Sequence, residues 1–139
     1  QISRLQGDLE QAGIDLRASL QLYRDIGDRS ACCTVSMMIG ELAAAAGQDL
    51  RAARLLAAAS ALDDRIDYGS IAAREDHERL EACVARRLGP ARLREAAAEG
   101  RAMSFDQVIA YALCEASDSE DLSAPLPGGD RPASPSREE

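Results

Sequence analysis

The sequence contains no lysine and no tryptophan, and it has a single phenylalanine. The missing lysine excludes a Walker A loop, which needs that side chain to reach the terminal phosphates of a nucleotide. Residues that favour strands (valine, isoleucine and threonine) are scarce, whereas alanine, the strongest helix former, occurs 27 times. The composition therefore predicts an all-α protein whose helices meet through small side chains.

The charge balance is acidic. All 16 basic residues are arginines, and 24 acidic residues bring the net charge to -8. Such a chain lacks the basic surface that nonspecific binding to nucleic acid or to an anionic membrane requires. No apolar run approaches the ~18 residues of a membrane span, and no signal peptide opens the sequence. We therefore expect a cytoplasmic protein that contacts neither nucleic acid nor membrane directly.

Four cysteines are present, without the paired spacing that is typical of metal sites. Adjacent cysteines on a helix point about 100° apart, which suits shared metal ligation poorly. Cys32, Cys33, Cys83 and Cys114 are therefore interpreted as buried, reduced thiols. No metal or other cofactor is expected.

Apolar residues recur at three- and four-residue steps along most of the chain, which is the period of an α-helix. The period is interrupted at turn signals such as Gly47 and Gly89-Pro90. From Ser117 onward the chain is mostly serine, proline, glycine and acids, and it cannot bury enough apolar surface to fold. The predicted helices cover about 8–26, 29–46, 49–64, 71–88, 90–99 and 105–115, and 115–139 is predicted to be a disordered acidic tail.

The first half contains an internal repeat with an offset of 40 residues. Placing Gly7 over Gly47 also pairs Ala12 with Ala52, and Leu16 with Leu56 in the same register. Glycine is expected at the turn between paired helices, where a positive φ is needed, and the small residue where the helices cross. In the second unit the tetratricopeptide pattern falls on Ser36, Ile39, Gly40, Ala43, Ala52 and Leu56, with Gly40 and Ala52 matching it outright.

The repeat predicts a tetratricopeptide-like helical-repeat fragment, an α-solenoid of antiparallel helix pairs, with a generic helical bundle as the alternative. Residues 1–66 would form the repeats, the first of them truncated and preceded by others upstream. Residues 67–114 would form a C-terminal helical cap. On this alignment Gly7 marks the turn that follows an incomplete first helix, and Gly100 closes the fifth predicted helix.

The stretch "LGPARLREAAAEGRAMSFDQVIAYAL", residues 88–113, sharpens this interpretation. With the chain that precedes it, from about residue 7, it resembles the C-terminal end of the tetratricopeptide region in large bacterial regulators, the LuxR-type and SARP-like signal-transduction ATPases, and in some cyclase-linked ATPases. The matching residues are Leu88, Gly89, Leu93, Ala96, Glu99, Gly100, Arg101, Ala102, Met103, Ser104, Asp106, Gln107, Ile109, Ala112 and Leu113.

The resemblance implies a non-catalytic helical region beside an ATPase, which senses a partner or ligand and relays that state to an effector. The expected partner is another protein or upstream repeats of the same chain. Two alternatives stay open: a sensor arm of a nucleotide cyclase-containing enzyme, or a purely structural cap. The sequence upstream of Gln1 would separate an ATPase from a cyclase.

The resemblance also indicates where a partner would bind. The first helix of a pair lines the concave groove of such arrays, which places Thr34, Met37, Glu41 and Ala44 at the partner-facing positions. Methionine adapts to irregular surfaces, and Glu41 could engage a basic group. The alternative is that these side chains pack against a neighbouring repeat.

Catalysis is not expected, because no catalytic motif is present. The single histidine, His77, is one helical turn from Glu81 and could offer two metal ligands, but no third ligand follows at matching spacing. The stretch is instead predicted to be a solvated helix surface, with no catalytic, cofactor-binding or metal site. Its expected ion pairs are Arg74–Glu78 and Glu75–Arg79.

The last predicted helix could be mistaken for a DNA-recognition helix after a sharp turn. Ser104 followed by Gln107 fits a capping box, and Met103 with Val108 fits the accompanying hydrophobic staple. A recognition helix would expose arginine, asparagine or glutamine, but this helix has a broad apolar face. It is therefore predicted to close off the last repeat.

Overall fold

The computed structural model describes residues 2–114, with side chains from Gly7 onward. The predicted acidic tail, 115–139, lies outside the described residues. Within them the chain is all-helical and contains no strand, as the composition predicts. The six helices are α1 (Ile2–Ile26), α2 (Arg29–Ala45), α3 (Asp49–Leu62), α4 (Ile71–Leu88), α5 (Pro90–Arg101) and α6 (Phe105–Leu113).

The helix ends follow local chemistry. Asp28 and Ser70 cap α2 and α4 by accepting backbone N–H groups at 3.0 Å. The turns after α1, α2 and α4 each place a glycine at positive φ. At α6 the predicted capping box is confirmed, since Ser104 Oγ accepts from the Gln107 N–H at 3.2 Å and Gln107 Oε1 accepts from the Ser104 N–H at 2.8 Å.

Helix α3 is the centre of the fold, because other helices cover it on several sides. Nine of its fourteen residues are buried. Its apolar side chains enter three hydrophobic clusters: one shared with α1, α2 and α6, one with α2, α4 and α5, and one with α2 and the α3–α4 connection. The second cluster joins Ala53 to Val84 and Ala96, across the predicted boundary at 66/67. That division into repeats and cap stays a prediction.

Two arginines of α3 are buried and hold the last two helices in place. Arg51 donates at 2.8–3.0 Å to the carbonyl oxygens of Tyr111, Ala112 and Cys114, at the C-terminal end of α6, where carbonyl groups lack partners within the helix. Arg54, only 1% exposed, pairs with Glu99 of α5 at 3.0 Å and donates to the Tyr111 hydroxyl at 3.2 Å. Helix α6 packs on the first cluster through Val108, Ile109 and Ala112, and its role in closing off a last repeat stays a prediction.

The prediction that Gly100 ends α5 is wrong. The helix continues to Arg101, and Gly100 is the point where α5 crosses α3 most closely. A Cβ atom built on Gly100 would lie 2.1 Å from the Arg54 carbonyl oxygen, so only glycine allows this approach. Gly40 plays a milder version of this role at the α2–α3 crossing, where a Cβ would lie 3.1 Å from Leu55 and Leu56.

The predicted turn at Gly7 is also wrong. Helix α1 runs through Gly7 without a break, whereas Gly47 sits in a turn with φ of +81°. One glycine inside a helix costs only about 1 kcal/mol relative to alanine, so it does not end a helix by itself. The two glycines aligned by the 40-residue offset therefore have different backbone conformations.

Candidate partner-binding surfaces

Three of the four predicted partner-facing residues lie together. Thr34, Met37 and Glu41 line one cavity of about 270 Å³ between α2, the α3–α4 connection and the first half of α4. Ala44 does not line it. Its side chain is buried in the second cluster, and its carbonyl oxygen accepts from Arg87 of α4 at 3.1 Å.

The cavity is bordered by a charged cluster that the sequence analysis placed on a solvated surface. That prediction is wrong for His77, which is only 5% exposed. Its Nδ1 lies 2.7 Å from a Glu41 carboxylate oxygen and its Nε2 lies 3.3 Å from a Glu81 carboxylate oxygen. Its ring also packs against Tyr68, with 4.8 Å between ring centroids. His77 tolerates burial because Glu41 of α2, 36 residues away in sequence, pairs with it.

The two carboxylates keep His77 protonated at neutral pH. The hydrogen bonds that the two carboxylates accept from His77 raise its pKa from 6.5 to about 9, and the bond to Glu41 contributes most. Burial acts in the opposite direction. Glu41 is thereby engaged by a cation of its own chain. A basic partner group at Glu41 would have to compete with His77 for the carboxylate.

Two further ion pairs lie along α4. The predicted Arg74–Glu78 pair is present at 3.4 Å, but the predicted Glu75–Arg79 pair is wrong, since Arg79 contacts Asp76 instead. Such exposed pairs contribute little to stability. Within residues 7–114 no group of three histidine, cysteine or acidic side chains is placed to hold a metal ion.

A different surface, on α1, was missed by the sequence analysis. Ile14, Leu22 and Ile26 are 53%, 62% and 71% exposed. With Ala18 they follow one another at four-residue steps, so they form a continuous apolar line along the helix. We call this the outer face of α1. The sequence contains this surface as a second apolar series, Ile14 to Ile26, beside the series of buried residues in the same helix.

The buried side of α1 explains why this face is left open. Leu20 is fully buried in the first cluster, with Leu16 packed against it. At about 100° per residue, the Ile14–Ile26 line lies on the opposite side of the helix from these two. The contacts of α1 with α2 and α6 therefore leave the outer face uncovered by the described residues.

The outer face also has a one-sided charge. Asp15 lies beside Ile14 and Asp25 beside Ile26, and Asp8 lies on the same side of the helix about 9 Å before Ile14. All three are exposed, and no arginine between Asp8 and Ile26 lies within about 100° of the centre of the line. Gln11 lies on the same face and donates to Asp15 at 3.0 Å. The face is thus apolar along its centre and acidic along its sides.

A second concave region lies between α3, α4 and α5. It is a cleft of about 550 Å³ with a mostly alanine floor, including Ala53, Ala57 and Ala61. Glu81 and Arg101 are the charged residues on its rim. The rim therefore carries one charge of each sign, and the cleft selects no class of ligand by charge.

The four cysteines are all free. Cys32 and Cys33 are buried as predicted, and burial raises the pKa of both thiols, so they are poor nucleophiles. Cys83 and Cys114 are only partly buried.

Comparisons with protein-family models, with curated proteins and with solved structures found no match. The resemblance of residues 88–113 to the bacterial regulators therefore stays a prediction. None of the helices within residues 2–114 combines the length and apolarity needed to cross a bilayer.

Proposed function

We propose that this chain is a non-catalytic helical interaction and signal-relay module, the C-terminal part of a bacterial ATPase-type transcriptional or signalling regulator. The observation that carries the proposal is the outer face of α1. Three large aliphatic side chains more than half exposed on one line are unusual on a folded surface and are typical of a helix that binds another helix.

The rest of the fold suits a relay. Helix α1 packs on α2, α2 packs on α3, and α3 holds α5 and α6 through Arg54 and Arg51. A partner on the outer face of α1 would therefore be connected to the far end of the molecule by successive helix contacts. The predicted tetratricopeptide-like stacking and the family membership belong to this proposal.

The interaction role can be tested with a model helix. The probe is a peptide of about 20 residues with a leucine line at four-residue steps and uncharged glutamine flanks, long enough to form a helix on binding. We expect it to bind the full chain, and an Ile14→Gln/Ile26→Gln variant to bind at least about tenfold more weakly because apolar burial is lost.

The matched control is Ile71→Gln, because Ile71 is 79% exposed but begins α4. This variant should bind the peptide like the unaltered chain. All three proteins should unfold at the same urea concentration within error, because exposed substitutions change stability little. Failure of the peptide to bind, or equal binding by the α1 variant, would refute the interaction role and leave the structural cap.

The regulator assignment has a separate test in the reading frame that encodes the chain. A nucleotide-binding ATPase signature upstream of Gln1 supports it. A cyclase signature there would favour the sensor-arm alternative, and the absence of both would remove the family proposal.

A further inference from the structure

The outer face of α1 has a feature that the interaction role alone does not require, namely its uniform charge. We propose that its partner is an amphipathic helix of another protein whose apolar line is flanked by basic residues. This inference rests on the proposed function and specifies the chemistry of the partner.

The charge lies on the flanks of the apolar line. Asp15 and Asp25 lie beside the two ends of the apolar line, which covers about 18 Å of helix at 1.5 Å per residue, and Asp8 lies about 9 Å before it. The nearest arginines of the same stretch, Arg17 and Arg24, lie more than about 100° around the helix from the centre of the line. A helix that packs on the outer face would therefore meet carboxylates on its sides.

The acidic flanks also exclude two other occupants of the outer face. In a second copy of this chain, the acidic flanks of one outer face would meet the acidic flanks of the other, and like charges opposed across an interface favour other partners. An anionic lipid surface would be repelled by the same carboxylates, since membrane-bound helices of this type have basic polar faces. A basic amphipathic helix satisfies both the apolar line and its flanks.

The preference for basic flanks would act mainly on orientation and association rate. Exposed charge pairs contribute little affinity each, but complementary flanks fix the orientation of the partner and speed association. The preference should therefore be modest per carboxylate, additive along the helix and sensitive to salt. These properties separate it from binding through the apolar line itself.

The test compares three peptides with one leucine line and lysine, glutamine or glutamate flanks, titrated against the full chain by fluorescence anisotropy. We expect the lysine-flanked peptide to bind about tenfold more tightly than the glutamate-flanked one at low salt, and the difference to shrink in high salt. An Asp15→Asn/Asp25→Asn variant should lose most of this difference.

A charge-matched control keeps the test specific. Asp64→Asn/Glu95→Gln removes the same number of exposed carboxylates from the α3–α4 connection and α5. It should retain the full preference for lysine flanks. If it lowers that preference as much as the α1 variant does, the preference reflects net charge and the inference is overturned.

Three further outcomes would overturn the inference. Equal affinity for lysine and glutamate flanks does so while leaving the interaction role intact, since the glutamine-flanked peptide still binds. Concentration-dependent dimerisation abolished by Ile14→Gln/Ile26→Gln would identify a second copy as the occupant. Binding to phosphatidylglycerol vesicles, lost in the same variant, would identify a lipid surface. If none of the peptides binds, the proposed function itself fails.

Discussion

Helices α1 and α3 have opposite surroundings. Helix α3 buries two arginines, whereas α1 exposes isoleucine and leucine to solvent. Arg51 and Arg54 tolerate burial because carbonyl oxygens, a carboxylate and a phenol hydroxyl receive their N–H groups. Ile14 and Ile26 stay exposed because the described helices approach α1 from one side. The difference teaches that neighbours, and not residue polarity, decide what is buried here.

The largest effect is expected where another helix approaches the backbone of α3. Gly100→Ala would place a Cβ against the Arg54 carbonyl oxygen, which cannot move away without separating α5 from α3. We expect the free energy of unfolding to fall by about 3 kcal/mol, measured by urea denaturation followed by circular dichroism.

Helix α1 supplies the opposite control for this change. Gly7 lies in a helix, and a Cβ atom added there would meet nothing within 4 Å, so Gly7→Ala should raise stability by about 0.5–1 kcal/mol through helix propensity. Equal effects of the two substitutions would mean that α3 and α1 are equally accessible, contrary to the structure.

The next effect concerns the buried charge of Arg51. Arg51→Met keeps an apolar side chain of similar length but leaves three carbonyl oxygens at the end of α6 without this donor. We expect a loss of about 2–3 kcal/mol and faster hydrogen exchange in α6. Arg101→Met, at an exposed position of α5, should change stability by less than about 0.5 kcal/mol. Unchanged exchange in α6 would contradict the role given to Arg51.

A titratable charge extends the comparison to α4. The pKa of His77 is raised from 6.5 to about 9, so its protonated form stabilises the fold fully below pH 6.5, and this contribution is lost as the pH rises through about 9. We expect the free energy of unfolding to decrease over that interval by about 1–3 kcal/mol. His77→Gln should flatten the profile between pH 6.5 and 9. A flat profile in the unaltered chain would show that Glu41 and Glu81 do not stabilise the imidazolium.

A small gain in stability is expected at Ser36 of α2. Ser36 is fully buried, and its hydroxyl has no hydrogen-bond partner among the described residues, unlike the two arginines. Ser36→Ala removes that unsatisfied group, and we expect stability to rise by about 1 kcal/mol. Ser60→Ala, at an exposed position of α3, measures the part due to helix propensity alone. A gain no larger than that of Ser60→Ala would mean that the Ser36 hydroxyl is satisfied.

Much of the fold was predictable, because helix ends depend on nearby residues. Gly47, Ser70, Gly89-Pro90 and the Ser104 capping box each predict a boundary that the structure contains. The errors at Gly7 and Gly100 have one cause. A glycine can end a helix, lie within a continuous helix or allow two helices to cross closely. Which of these occurs depends on the helix packed against it, and that helix is distant in sequence.

The candidate sites were less predictable for the same reason. The grouping of Thr34, Met37 and Glu41 follows from helical spacing, but the pairing of Glu41 with His77 requires α4 to fold back on α2. The buried arginines had a weak signal, as two charges three residues apart in an alanine-rich helix. The outer face of α1 needs knowledge of which side packs, which the apolar period alone does not give.

The hold of Arg51 on α6 also has a mechanical consequence. Its guanidinium donates to the carbonyl oxygens of Tyr111 and Ala112 in the last turn of α6 and of Cys114 just after it, and its own backbone belongs to the central helix. A pull applied along the chain at Cys114 would therefore load α3 directly, and α6 could not unwind from that end without first breaking the buried arginine contacts. Tension at Cys114 would therefore reach α3 before it unwound the end of α6.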